Sequence, residues 1–261
     1  MHAADALDEQ AMLAFAFETR LAETTFVQSP TIDGADYRNR IFSMAGELPF
    51  AGHPSLGTAV AVARARGVRD RASFIQQTGA GLQQVEVRVN DGGLSASMLQ
   101  EPASFGDELA PAPLLSALGL EAGDRHPDLP PQVVATGLPH VMLPLSSPEA
   151  LSAARPNPPA IDAVIADHEA YGLYAVWPEP DGGSARARMF GRSAQVLEDA
   201  ATGSAAGPLC VYLQRRTGRT SLEITQGVEM GRPSRLSCAI AGDTVRVSGA
   251  GVVIVDGTLR L

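Results

Sequence analysis

Glu23, His53, Glu198 and Asp199 are titratable residues that stand beside glycine-rich turns in this chain, together with the hydroxyls of Ser55, Thr202 and Ser204. Carboxylate, imidazole and hydroxyl groups next to a helix start suit proton transfer on a bound anion. The turns are Gly52-His53-Pro54-Ser55-Leu56-Gly57 and Thr202-Gly203-Ser204-Ala205-Ala206-Gly207, each opening an apolar helical run. The first N–H groups of such a helix lack partners within it and lie at the positive end of its dipole, so each turn is a candidate carboxylate site. The simplest arrangement of two such turns aims both into one interdomain cleft around a small carboxylate-bearing molecule. Glu23 falls between an apolar helix pattern and the β-branched run Thr24-Thr25-Phe26-Val27, where a shielded carboxylate can take a proton and give it back. Structural readings stay open beside these: Glu23 as a solvated carboxylate or arginine partner, His53 as a cap, Asp199 as a capping carboxylate ahead of Thr202, and the small residues as close-packing surfaces.

Composition removes several other chemistries. The 261 residues include 20 arginines and no lysine, which excludes a lysine Schiff base, a lysine general base and a Walker-A lysine. A net charge of −9 without a basic tract opposes nucleic-acid binding. Cys210 and Cys238 show no metal or disulfide spacing and read as buried free thiols, and the five histidines lack ligand spacing, so no metal site is expected. No apolar run approaches the roughly 20 residues of a membrane helix and no signal peptide is evident, which points to no membrane partner and to the reducing cytoplasm. Gly79-Ala80-Gly81 lacks the third glycine of a dinucleotide fingerprint, and Thr202-Gly203-Ser204 lacks the first glycine of a nucleophile elbow.

The elements that must position these residues follow from periodicity. Asp8 to Glu18 predicts a helix, with Met12, Phe15 and Ala16 on one face. Strands are expected at 21–27, 37–43, 73–77 and 83–89, with Asn90-Asp91-Gly92-Gly93 turning into 94–99. A helix is expected from Ser55 to Arg66, stopped by Gly67. The Pro- and Gly-rich stretch 101–131, with one short helix, reads as the crossing between halves. Strands resume at 133–136, 141–144, 173–178 and 186–190, with a short helix at 161–166. The second half then echoes the first: Gly57 and Gly207 lie 150 residues apart, each in a turn-helix-strand run ending in a Gln/Gly segment, Gln77-Thr78-Gly79 and Gln226-Gly227-Val228.

Five spaced segments carry a resemblance. Glu23-Thr24-Thr25-Phe26-Val27, Glu47 to Gly57, Thr136-Gly137-Leu138-Pro139, Glu198 to Ala205 and Gln226 to Ser234, taken in order along nearly the whole chain, resemble the PhzF-like family of phenazine-biosynthesis isomerases. The resemblance implies an α+β, diaminopimelate-epimerase-like fold: two pseudo-symmetric lobes, each a β-barrel-like sheet around a central helix, with the active site between them. The lobes are expected at 1–112 and 113–261, with the last strand returning to the first lobe. It further implies a cofactor-independent isomerase acting on a small carboxylate of the dihydro-hydroxyanthranilate kind. Glu23 would move the proton, His53 and Asp199 would assist, and Gly52, Ser55, Thr202, Gly203 and Ser204 would bind substrate. A homodimer is implied too. Related epimerases use two cysteines, whereas Gly52 and the Asp199 segment fall in the corresponding regions here, so thiol racemisation is not expected.

Three departures bear on that reading. The family's first strand and its Gly-Asn-Pro segment have no counterpart before Asp8, the proline after the aspartate is Ala200, and the segment before it reads Gly191-Arg192-Ser193-Ala194-Gln195. The competing reading is a non-catalytic small-molecule-binding or interaction protein on the same fold.

Overall fold

The computed structural model describes residues 1–90, 93–193 and 196–258. Contacts divide the chain into two units, Met1–Met98 with the segment from Ser248 onward, and Leu99–Val247. This boundary falls ahead of the expected 112/113, because the strand at 104–108 pairs with one at 132–135.

The first unit contains α1 (Glu9–Thr19), β1 (Thr24–Gln28), β2 (Tyr37–Ser43), β3 (Gly46–Leu48), α2 (Gly52–Ala65), β4 (Arg71–Thr78), β5 (Gly81–Asn90) and β6 (Gly93–Leu99). Asp8 caps α1 by accepting from the Ala11 N–H at 2.8 Å, and the helix lays Met12 and Ala16 against Phe26 and Phe42. Strand order is β1-β2-β4-β5-β6, with β3 on β2 and only the β2–β4 pair parallel. α2 begins at Gly52, three residues before the expected Ser55, because Pro54 fits a first helical turn. Its Ala59, Val60, Val62 and Ala63 pack on Phe74, Val85, Val87 and Ala96. Gly67 takes φ +69° just past the end, as a helix stop requires. Asn90 pairs with Gly93, while the turn residues Asp91 and Gly92 lie outside the described residues.

The second unit contains β7 (Ser104–Glu108), α3 (Pro111–Ala117), β8 (Gln132–Ala135), β9 (Pro139–Pro144), α4 (Pro148–Ala153), α5 (Pro158–Ile165), β10 (Gly172–Pro178), β11 (Ser184–Ser193), β12 (Val196–Asp199), α6 (Gly203–Thr217), β13 (Ser221–Gln226) and β14 (Ser234–Ala241). β15 (Thr244–Gly251) carries the chain from this unit to the first. Strand order is β14-β13-β11-β10-β9-β8-β7, with β12 on β11. Two cores sandwich this sheet. Val141, Leu143, Leu173 and Ala175 face the short helices α3, α4 and α5, while Met142, Tyr174 and Val176 face α6. Both faces of β9 and β10 are therefore apolar, which conceals the strand alternation in sequence.

The internal echo is topological. In each unit a strand carries a short antiparallel partner, a helix follows, and the next strand returns parallel to the first before turning back antiparallel. The sets are β2, β3, α2, β4, β5 and β11, β12, α6, β13, β14. The segment 101–131, expected as a crossing, instead contributes β7 and α3 to the second unit. Phe105 and Leu114 supply its apolar anchors.

Candidate functional site

In the first unit, the turn after α1 delivers Glu23 directly ahead of β1, and His53 is the second residue of α2. Glu23 Oε2 lies 3.0 Å from His53 Nε2, with the two side chains 20% and 43% exposed. That oxygen is itself buried and makes no aligned hydrogen bond, so a carboxylate lone pair is held beside an imidazole without being consumed by it. Both residues line a cavity of about 220 Å³, whose wall also carries Thr25, Gly57 and Thr58. Such a volume suits a small molecule rather than a polymer. The Thr58 hydroxyl donates to the Thr25 hydroxyl at 2.7 Å, tying two residues of that wall together. Gly52 opens α2 half-buried. Ser55 is fully buried beneath the same turn, off this cavity wall, and its Oγ has no hydrogen-bond partner among the described residues.

In the second unit, Asp199 ends β12 and Thr202 is the N-cap of α6, so the first turn of that helix carries Gly203 and Ser204. Asp199 Oδ2 accepts from the Thr202 hydroxyl at 2.7 Å. Gln226, at the end of β13 and fully buried, completes the group. Its Nε2 donates to the Asp199 carbonyl at 2.7 Å and to Thr202 Oγ1 at 2.9 Å, while its Oε1 accepts from Tyr174 at 2.8 Å and the Thr202 N–H at 3.3 Å. Gly227 follows with φ +80°, and a Cβ there would meet the Arg232 and Ala200 carbonyl oxygens at 2.4 and 2.8 Å. Only glycine lets the Gln226 loop approach the backbone beside Asp199 this closely. Burial drives the Tyr174 hydroxyl well above its ordinary pKa, so it remains a donor.

Glu198 does not join the candidate acids. It forms two 2.9 Å bonds with the buried Arg188, whose remaining nitrogen donates to the Leu151 and Ala154 carbonyls at 3.0 Å. Cys210 and Cys238 are free and buried, and burial pushes the Cys210 thiol up to about 11 and the Cys238 thiol well above its ordinary value. Neither is a thiolate nucleophile at neutral pH. Of the Gly191–Gln195 segment, Ala194 and Gln195 lie outside the described residues. Among the described residues, no three His, Cys, Asp or Glu side chains converge as a metal site would need, and no helix is long and apolar enough to cross a membrane.

Three residues of this region are not singled out as site residues by the sequence. Gln226 opens the Gln/Gly segment, but nothing local shows that it reaches Thr202. His140 sits one residue past Thr136-Gly137-Leu138-Pro139 and meets Ser204 at 3.1 Å. Gln100 accepts from the Thr136 hydroxyl at 2.6 Å and donates to the Gly203 carbonyl at 2.8 Å.

The family model described as phenazine biosynthesis-like protein (PhzC-PhzF) matches residues 1–257. The chain belongs to that family. A trans-2,3-dihydro-3-hydroxyanthranilate isomerase of Pseudomonas aeruginosa is 38% identical to this chain over 270 residues, spanning 98% of this chain and 91% of that one. A phenazine biosynthesis protein of the PhzF family from Bacillus anthracis superposes with a TM-score of 0.83 at 25% identity, over 94% of this chain and 87% of that one. A hydroxyproline epimerase from Agrobacterium vitis shares the fold at a TM-score of 0.60 and 13% identity, over 94% and 78% of the two chains. The chain is thus an α+β protein of the diaminopimelate-epimerase-like fold and an enzyme of the isomerase class.

Proposed function

We propose that this isomerase moves a proton between carbons of a small carboxylate-bearing substrate of the dihydro-hydroxyanthranilate type, with Glu23 as acid and base and no cofactor. The observation that carries the reading is the Glu23–His53 pair: a carboxylate oxygen, buried and unaligned with any donor, in a small cavity 3.0 Å from an imidazole nitrogen. The Glu23 oxygen takes a proton from one carbon, the bonding pair shifts along the conjugated system, and the same proton returns to another carbon. One base shielded from solvent suffices, because the proton is neither lost nor replaced between the two steps. His53 stands beside the acid in the same cavity and assists the proton transfer. Asp199 holds the Thr202 end of the second group, Gly52, Thr202, Gly203 and Ser204 take substrate-binding roles, and Ser55, fully buried off the cavity wall, shapes the turn instead. A homodimer in the reducing cytoplasm completes the reading, consistent with two unpaired buried thiols.

The relative named above acts on a compound whose carboxylate and conjugated ring meet these requirements, which makes trans-2,3-dihydro-3-hydroxyanthranilate the substrate to test. Purified enzyme should convert it, and Glu23→Gln should lower kcat by ~10²–10⁴-fold with folding intact. Full turnover in Glu23→Gln defeats the assignment. Binding of the compound without turnover or carbon-bound deuterium exchange in the wild type marks a non-catalytic protein.

A further inference from the structure

His140 is the one histidine of this chain sealed in a core, and the reason lies in strand parity. β9 alternates Val141 and Leu143 toward the short helices with His140 and Met142 toward α6, so the imidazole is delivered against the first turn of that helix. The residue is 0% exposed, and its ring packs edge-on to Tyr171 with centroids 5.7 Å apart. Nε2 lies 3.1 Å from Ser204 Oγ, and Nδ1 has no hydrogen-bond partner among the described residues.

These positions constrain where the protons are. If Nδ1 carried the hydrogen, an N–H donor would be buried without an acceptor and the serine would be spent donating to Nε2. With the hydrogen on Nε2, the orphan is an acceptor lone pair, the less costly vacancy. Burial also holds the ring far below the ordinary histidine pKa, to about 3, so the imidazolium is not the resting form.

We propose that His140 is a positioning residue for Ser204: its Nε2–H donates to Ser204 Oγ, which commits the serine's own hydrogen to a bound acceptor and makes Ser204 a fixed hydroxyl donor instead of a nucleophile. A nitrogen that already carries its hydrogen cannot accept one, so this serine-histidine contact is not an acyl-transfer dyad despite its distance. The device rests on the reading that Ser204 binds the substrate carboxylate. It adds the polarity of that contact, which the sequence and the distance alone leave undefined. Pro208 reinforces it, since it offers no N–H to the Ser204 carbonyl one turn back and leaves the opening turn held by side chains, Gln100 on Gly203 and His140 on Ser204.

Long-range ¹H–¹⁵N spectra of the full chain with labelled histidine test the tautomer directly, with His140 assigned by its loss in His140→Gln. At pH 7 the expected result is a protonated Nε2 and an unprotonated Nδ1, and the opposite pattern overturns the proposal whatever ligand is bound. Calorimetry with 3-hydroxyanthranilate, which carries the carboxylate, and 2-aminophenol, which lacks it, tests the consequence. His140→Phe should weaken the first by about tenfold and leave the second unchanged, and His140→Gln, which carries an amide N–H near the Nε2 position, should restore most of the loss. Equal affinity of His140→Phe and wild type for 3-hydroxyanthranilate overturns the proposal. A wild type that binds neither compound defeats the substrate reading instead, and the tautomer measurement then decides the role of His140.

Discussion

Gln226 and Thr202 are bonded to each other twice, side chain to side chain at 2.9 Å and backbone N–H to side-chain carbonyl at 3.3 Å. One buried amide thereby ties the end of β13 to the N-cap of α6, and its remaining bonds hold Tyr174 and the Asp199 carbonyl. Three of the four bonds are buried and the fourth, to the Asp199 carbonyl, is part-buried, so little of the group can be exchanged for a solvent contact.

Gln226→Leu therefore removes an apolar-sized volume of little consequence but strands the Tyr174 hydroxyl and the Thr202 N–H. The expected loss is about 3 kcal/mol, read as a shift in urea midpoint at constant slope. A loss under about 1 kcal/mol would show that the group is solvated in the folded protein.

The Arg188–Glu198 pair is nearly dry, with side chains 6% and 13% exposed. Glu198→Ala removes both close bonds on one side of the buried guanidinium, leaving the Glu229 carboxylate 4.0 Å from Nε, and should destabilise by about 3 kcal/mol. Arg188→Met combined with Glu198→Leu should recover much of that loss, because the isolated charge is then gone. A double-mutant cycle with no coupling would contradict the pairing.

The two glycines that mark the internal echo should respond oppositely to alanine. A Cβ at Gly207 would sit 1.8 Å from Gln100 Oε1, whereas one at Gly57 meets nothing within 4 Å. Gly207→Ala should displace Gln100 from Thr136 and Gly203 and cost about 1–2 kcal/mol, partly relieved by Gln100→Ala. Gly57→Ala should raise stability by ~0.5–1 kcal/mol, the gain of alanine over glycine inside a helix. Thermal melts of the single variants separate the two outcomes.

His140 sets an acid limit on folding. Its pKa is lowered by burial to about 3 in the folded chain and is near the usual 6.5 when unfolded, so below pH 6.5 the unfolded state binds the extra proton. Stability attributable to this residue is full above pH 6.5 and declines as pH falls toward 3, by an amount on the order of a few kcal/mol. His140→Gln should flatten that limb in denaturant melts between pH 7 and 4. An unchanged slope would mean that His140 titrates normally in the folded state.

Much of the candidate site was legible along the chain. The Glu23 junction, the glycine-rich turns ahead of two helices and the parallel turn-helix-strand runs all follow from local pattern, because helix periodicity and glycine stops act over a few residues, although both helices begin inside those turns, at Gly52 and Gly203, earlier than the pattern placed them. Glu198 was legible only as one acid of a neighbouring pair. Its partner Arg188 comes from the facing strand of the β11–β12 pair, and only strand register shows that the charge is already matched. The segment 101–131 read as a crossing because Pro and Gly dominate it, yet Phe105 and Leu114 bury there once a sheet edge and a core exist to receive them.

The sequence by itself determined the chemistry available: no lysine, two thiols without motif, and an acid, an imidazole and hydroxyls at glycine-rich turns. Tertiary structure decided which of those groups meet. Glu23 and His53 are thirty residues apart in the chain and 3.0 Å apart in space, and His140 reaches Ser204 across 64 residues. Such contacts depend on strand parity and helix register summed over a whole unit. Residue types along the chain do not encode that sum at any single position, because a one-residue slip in β9 would turn His140 away from α6 while leaving every local motif intact.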